Sequence, residues 1–328
     1  MKKFLSLLMT LVLCLSCFAL PALADDEALS VAVVVAGTLG DRGFYDSSVE
    51  GLNQLVADFG VTPKVFECKE DGSLYENSLY DAADTCNVVI AVGWQFWDYL
   101  GTACAEYPDV RFMFIDNGLD GVGDNLMSVV YAQNEGSFLV GYIAAKMTKT
   151  GKIGVVGGED NATINDFIVG YEAGAKYANA DVIVERQYAQ TYEDPAKGKE
   201  CALALYDGGC DIVFAVAGKT GEGVFEAAVE TGCYAIGVDS DQKYINPDVI
   251  LCSMVKQVGK SIYDVVADID SKYLPGQIWT ADMENSYIDV AYGTEDMTQQ
   301  VPDDLKAEVE ELKVKIVSGE IEVPTALN

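Results

Sequence analysis

The sequence predicts an α/β protein of two doubly wound, parallel-sheet lobes joined by crossing hinge strands. Three observations predict it. Short, continuous apolar runs alternate with helical stretches of roughly 10–15 residues, the rhythm of βαβ units. The alternation begins at Ser30 and starts afresh after Tyr131. No Pro- or Ser-rich linker separates the halves, which favours lobes connected by crossing strands over separate beads.

The elements follow in order. Ser30–Ala36 (Ser-Val-Ala-Val-Val-Val-Ala) is apolar throughout, as expected of a strand buried on both faces. A Gly-rich turn leads into a helix from Tyr45 to Phe59. Val65–Cys68 reads as a strand, Leu74–Ala83 as a helix, Asn87–Val92 as a strand and Phe96–Tyr107 as a helix. Strands at Arg111–Asp116 and Leu126–Tyr131 complete the first half. The second half opens with a strongly apolar helix, Gly136–Met147. Strands at Lys152–Val156, Asp181–Arg186, Asp211–Ala217, Tyr234–Val238 and Ile250–Met254 then alternate with helices at Ile164–Tyr177, Pro195–Tyr206 and Glu222–Glu230. A helix from Val258 to Tyr273 follows. Asp303–Val317 is a charged helix with little apolar face, expected on the surface and given no function.

The domain boundaries expected are residues 1–24 for a signal peptide, 25–132 plus 256–292 for the first lobe, 133–255 for the second, and 293–328 for a tail. Lys2 and Lys3 precede the apolar run Phe4–Leu20, the pattern of a secretory signal. Pro21-Ala22-Leu23-Ala24 offers a cleavage site after Ala24. Cys14-Leu15-Ser16-Cys17 offers a looser, competing lipid-attachment site at Cys17. No later stretch reaches the ~18 apolar residues of a membrane span. The expected location is therefore outside the cytoplasmic membrane, periplasmic or at the cell surface, with the membrane touched only through a lipid on Cys17.

Composition excludes several function classes. Asp and Glu number 52 against 21 Lys and Arg, a formal charge of −31. Such a surface repels phosphate backbones and anionic lipid, so nucleic acid is not an expected partner. The 328 residues contain no histidine, which removes Ser-His-Asp and Cys-His centres and His-ligated zinc. Beyond the signal lie Cys68, Cys86, Cys104, Cys201, Cys210, Cys233 and Cys252, irregularly spaced and without a Cys-x-x-Cys. Zinc and thioredoxin chemistry are thereby disfavoured. Cys210 and Cys233 begin neighbouring strand-like runs; they are either close enough to pair or simply small buried hydrophobes. No metal or cofactor is expected.

In open parallel sheets ligands bind beyond the carboxyl ends of the strands. The residues found there are Gly37 to Asp46, including Phe44 and Asp46; Gly93-Trp94-Gln95-Phe96; Asp116-Asn117; Gly157 to Asn161; Gly218 to Gly223; Asp239-Ser240-Asp241-Gln242; and Lys256. Aromatics, carboxylates, amides and one lysine suit a ligand with a flat apolar face and several hydroxyls. The competing reading makes Asp46, Asp116 and Asp241 helix caps and Phe44 and Trp94 core. Two motifs fail on spacing. Gly37-x-x-Gly40-x-x-Gly43 is not a dinucleotide fingerprint, and Gly218-Lys219-Thr220 has Val213 where a phosphate loop needs Gly.

Several runs in order resemble the basic membrane protein (Bmp) family, purine-nucleoside-binding lipoproteins that serve ABC transporters. They are Gly40-Asp41-Arg42-Gly43-Phe44-Tyr45-Asp46, Glu135 to Gly141, Asp166 to Gly174, Thr220 to Ala228, Ile236 to Gln242, and Ser253-Met254-Val255-Lys256. The resemblance spans Val31 to Tyr292 and implies a type I periplasmic-binding-protein fold with the site between the lobes. It further implies that Phe44 stacks on a purine, that Asp116 faces the ribose, that Asp239 and Lys256 hold ribose hydroxyls, and that Asp46 and Gly218 line the pocket. Trp94 is an added stacking candidate. The chain departs from the family at Tyr45, where Asn is common, and at Lys219, in a loop of mostly Gly, Ala and Thr. The implied partners are a purine nucleoside and a transporter permease, and the implied action is capture by hinge closure rather than catalysis. The alternatives are another small ligand (a sugar, a flavin or a signal molecule), a sensor subunit, and a hydrolase using Asp239 and Asp241.

Overall fold

The computed structural model describes residues 29–327. Both proposals for the leader, cleavage after Ala24 and lipid on Cys17, fall outside those residues. Two six-stranded sheets form the framework. The first contains β1 (Ser30–Val35), β2 (Thr62–Glu67), β3 (Val88–Val92), β4 (Arg111–Ile115), β5 (Leu126–Tyr131) and β11 (Ile278–Ala281), in the order β11-β5-β4-β3-β1-β2. The second contains β6 (Lys152–Gly157), β7 (Ile183–Tyr188), β8 (Ile212–Val216), β9 (Tyr234–Asp239), β10 (Ile250–Lys256) and β12 (Ile288–Ala291), in the order β12-β10-β9-β8-β6-β7. All strand pairs are parallel except β10–β12.

The central strands explain the apolar runs. Every residue of β3 and β8 is buried, because helices cover both faces. In the first lobe α1 (Phe44–Phe59) packs with α8 (Val258–Ala267), and α2 (Gly72–Ala83) packs with α3 (Trp97–Glu106). In the second, α4 (Gln133–Met147) packs with α5 (Ala162–Ala178), and α6 (Pro195–Asp207) packs with α7 (Glu222–Thr231). β2 lies at an edge, which is why Pro63, with no amide hydrogen to give, is tolerated within it.

The α4–α5 crossing explains two of the runs that carried the family resemblance. A β-carbon on Gly141 would lie 2.1 Å from the Tyr171 carbonyl oxygen, and one on Gly174 would lie 1.8 Å from that of Phe138. Only glycine lets these backbones touch. Those residues fix the packing of the second lobe.

Three chain crossings join the lobes: Ala132 between β5 and α4, Gln257 between β10 and α8, and residues 282–287 between β11 and β12. They run side by side, with Ala132 N–H donating to Ala281 C=O at 3.1 Å and Gln257 N–H to Tyr287 C=O at 2.8 Å. The third crossing differs from the expected boundaries. Ile288–Ala291 pairs with β10, so it belongs to the second sheet and not to the first lobe. Both β11 and β12 have only four residues, too short to read as strands from pattern alone.

Two helices also differ from the sequence expectation. The stretch Val258–Tyr273 breaks at Asp268, leaving α8 and the short α9 (Ile269–Lys272). The tail helix α10 (Asp303–Val317) is not a free surface helix. It buries Leu305, Val309, Leu312 and Ile316, spaced three and four apart, against α4. Its stripe is narrow among many charges, which hides it in the average. Beyond α10 the chain runs back along the second lobe, where the buried Asp166 accepts hydrogen bonds from Thr325 Oγ1 (2.6 Å) and Ala326 N–H (2.8 Å). The seven cysteines among the described residues are free thiols, Cys210 and Cys233 included. No helix among those residues is long and apolar enough to cross a membrane.

Candidate functional site between the lobes

Each sheet has a switch point, β1/β3 in the first lobe and β6/β8 in the second, where the strand order reverses. The two face each other across a cavity enclosing about 540 Å³, counting the part open to solvent. Loops after β1, β3 and β4 supply Asp41, Phe44, Tyr45, Trp94, Gln95 and Asp116. The second lobe supplies Phe167, Tyr192, Gly218, Asp239 and Lys256.

The backbone at the strand ends is unusual. Asp116, just past β4, has φ 78°, and Asp239, closing β9, has φ 65°. Residues with a β-carbon seldom enter this left-handed region, although Asp tolerates it better than most. Such a conformation costs on the order of 1–3 kcal/mol and is typical of functional positions. Gly93 (φ 117°) and Gly218 (φ 53°) turn the same way after β3 and β8.

Lys256, at the end of β10, is 2% exposed and forms the centre of the site. Its Nζ donates to Asp116 Oδ1 of the opposite lobe at 2.7 Å and lies 3.7 Å from Asp239 Oδ1 of its own lobe. It also sits over the rings of Phe44 (4.7 Å), Phe167 (4.9 Å) and Tyr131 (5.3 Å). One ammonium therefore faces two carboxylates. Burial pushes the Asp239 carboxyl up to about 6; Lys256 pulls it down and Asp116 pushes it up. Burial likewise raises Asp116, against the pull of Lys256. Asp239 Oδ1 is buried without a hydrogen-bond partner, as is Gln95 Oε1 on the first-lobe wall. An unpartnered buried carboxylate oxygen is costly unless something donates to it.

Six of the seven expected residues come together here: Phe44, Trp94, Asp116, Gly218, Asp239 and Lys256. Asp46 does not. Its oxygens accept from the backbone of the glycine turn, Gly40 N–H at 2.8 Å and Arg42 N–H at 2.9 Å, so it braces the loop that carries Phe44. Asp241 is also structural, accepting from Lys243 N–H at 3.2 Å and Gly293 N–H at 3.0 Å. Asp41, within the Gly37–Asp46 stretch but not singled out by the strand-end pattern, also lines the cavity. It is 1% exposed, accepts from the backbone of Gly43, Tyr45 and Asp46, and is held by burial up to about 7. Phe167 and Tyr192 lie outside that pattern. Phe167 sits inside α5, where it reads as core. Tyr192 sits in a loop that no apolar run announces; its Oη accepts from Asn161 Nδ2 at 3.0 Å.

The arrangement is suited to binding a small molecule with an apolar face and hydroxyls. Among the described residues no cluster of three or more His, Cys, Asp or Glu side chains could hold a metal. Aromatic rings from both lobes flank the space, and a carboxylate–lysine group offers acceptors and a donor to hydroxyls.

Comparison with known proteins agrees. The family model described as ABC transporter substrate-binding protein PnrA-like (Bmp) matches residues 28–326. The chain is 32% identical over 330 residues to basic membrane protein A1 of Borrelia garinii subsp. bavariensis, covering 98% of this chain and 96% of that one. It is 32% identical over 322 residues to the ABC transporter nucleoside-binding protein BmpA of Lactococcus lactis subsp. cremoris, covering 90% and 89%. The crystal structure of an ABC transporter solute-binding protein from Aeropyrum pernix K1 superposes with a TM-score of 0.81 at 26% identity, covering 90% of this chain and 94% of that one. The fold is that of the type I periplasmic binding proteins, and the relatives are solute-binding proteins rather than enzymes. The chain belongs to the Bmp, or PnrA-like, family of ABC transporter substrate-binding proteins.

Proposed function

We propose that this chain is the exported binding subunit of an ABC transporter, that it captures a purine nucleoside by closing its lobes, and that it delivers the ligand to a permease. One observation carries the reading: the unpartnered Asp239 Oδ1, beside Lys256 and facing a cavity walled by aromatic rings. A ribose diol satisfies that oxygen through charge-assisted hydrogen bonds. A purine fills the space against Phe44 and Trp94, with Tyr192 on the other side. Asp116 completes the hydroxyl-binding group, and the Gly218 turn leaves room for the ligand. The three carboxylates of the cavity against one lysine disfavour a phosphate, so the ligand is a nucleoside rather than a nucleotide. The name of the lactococcal relative supports a nucleoside. The site's composition supports lobe closure, because ligand contacts from both lobes exist only when the cleft is shut.

A thermal-shift screen tests the reading against purine and pyrimidine nucleosides, free bases, sugars and flavins. A ligand at 100 times its Kd adds about 2.7 kcal/mol of stability. Stabilisation by purine nucleosides is expected. Stabilisation by a sugar or flavin alone would retain the fold and replace the ligand.

A further inference from the structure

The lobes also meet beside the cavity, through side chains that do not line it. Glu70, past the end of β2 in the first lobe, reaches the loop between β7 and α6 in the second. Its Oε1 accepts from Tyr192 N–H at 3.0 Å, and its Oε2 accepts from Thr191 Oγ1 at 3.1 Å. Glu193 reaches back the other way, and its Oε1 accepts from Thr38 N–H at 2.6 Å. Each lobe thus gives one carboxylate and receives one. A weaker contact lies nearby, where Arg42 Nε stands 3.4 Å from Glu222 Oε1.

Both loops are fixed for this exchange. Lys69 (φ 56°) and Glu70 (φ 55°) are consecutive left-handed residues, a conformation unusual for side chains with a β-carbon. The end of β1 holds that turn, since Lys69 N–H donates to Gly37 C=O and Glu70 N–H to Ala36 C=O. Across the cleft Gln190 is also left-handed, at φ 61°. Thr220 N–H donates to Tyr192 C=O at 3.0 Å, tying that loop to the turn after β8. The strained turns aim the carboxylates across the gap.

The contact has a direct consequence for the ligand site. Glu70 holds the backbone of Tyr192, whose ring forms a cavity wall packed on Gly158, where a β-carbon would lie 2.1 Å from the ring. We propose that Glu70 and Glu193 form a reciprocal carboxylate clasp that exists only in the closed form and sets Tyr192 against the bound ligand. The clasp then governs ligand release and not ligand encounter, and Glu70 is a positioning residue acting through Tyr192. This inference rests on the reading of the cavity as a hinge-closing nucleoside site.

Stopped-flow tryptophan fluorescence, to which Trp94 in the cavity wall contributes, tests it, with inosine, guanosine and adenosine as probes. Glu70→Ala and Glu193→Ala should each raise the dissociation rate about tenfold, the cost of losing a charge-assisted hydrogen bond. Association should change less than about twofold, because the open form lacks the clasp. Glu70→Gln, which keeps an acceptor for Tyr192 N–H and a donor for the Thr191 hydroxyl, should stay within about threefold of wild type. The melting temperature of each variant without nucleoside should equal that of wild type. Unchanged dissociation in the alanine variants, or a loss confined to association, would overturn the clasp while leaving the nucleoside reading intact. Wild-type protein that binds none of the three nucleosides would overturn the nucleoside reading, and the clasp with it.

Discussion

Replacing Asp239 with Asn should make the protein more stable and a worse binder at the same time. The carboxyl is buried beside Asp116, and the two share Lys256. Burial lifts Asp239 from the ordinary 3.8 to about 6. Below the lower value the group is neutral in both folded and unfolded chains and exerts no pH effect. Between about 4 and about 6 the unfolded chain ionises first, so rising pH erodes stability. Above about 6 the full gap applies, about 3 kcal/mol for the closed form and less for the open one, where Asp239 regains water. Asn carries no charge and tolerates the left-handed backbone. Urea unfolding should therefore show Asp239→Asn more stable than wild type at pH 7.5, by up to about 3 kcal/mol. The gain should shrink steadily as the pH falls to 4.5. Nucleoside affinity of the same variant should fall roughly tenfold to a hundredfold, through loss of a charged acceptor. A variant less stable than wild type at pH 7.5, or a gain independent of pH, would refute the picture of a strained, shared ion cluster.

Other expectations follow from single contacts. Phe44→Ala should weaken nucleoside binding at least about tenfold, through lost stacking and burial, while circular dichroism stays native. Gly174→Ala places a β-carbon 1.8 Å from the Phe138 carbonyl oxygen; forcing α4 and α5 apart should cost about 1–3 kcal/mol in urea unfolding. Leu312→Ala should destabilise by about 2–4 kcal/mol, since α10 packs as part of the second lobe and its Leu312 is 4% exposed.

The sequence carried the framework well because buried parallel strands announce themselves. Val31–Val35 and Ile212–Val216 are unbroken apolar runs, and only a strand covered on both faces needs that. The short edge strands β11 and β12 lack such runs, so the third crossing between the lobes went unread. α10 conceals its packing because four buried positions among many charges leave a weak average signal.

The site was legible wherever a strand end marks it. Phe44, Trp94, Asp116, Gly218, Asp239 and Lys256 all follow apolar runs directly or nearly so. Tyr192 and Glu70 lie beyond weaker edge strands, β7 and β2, whose mixed burial blurs the pattern. Asp46 shows the opposite limit. A carboxylate in the first turn of a helix reads alike whether it meets a ligand or its own loop, and only the hydrogen bonds to Gly40 and Arg42 decide.

Isothermal titration with a purine nucleoside, its free base and ribose, run in parallel, tests the central claim most directly. In the proposed complex the base lies against the aromatic walls and the sugar meets Asp239, Asp116 and Lys256. Affinity for the whole nucleoside should therefore exceed that for either half by at least a hundredfold (about 2.7 kcal/mol). Ribose or base bound as tightly as the nucleoside, or no binding of any nucleoside, would contradict it.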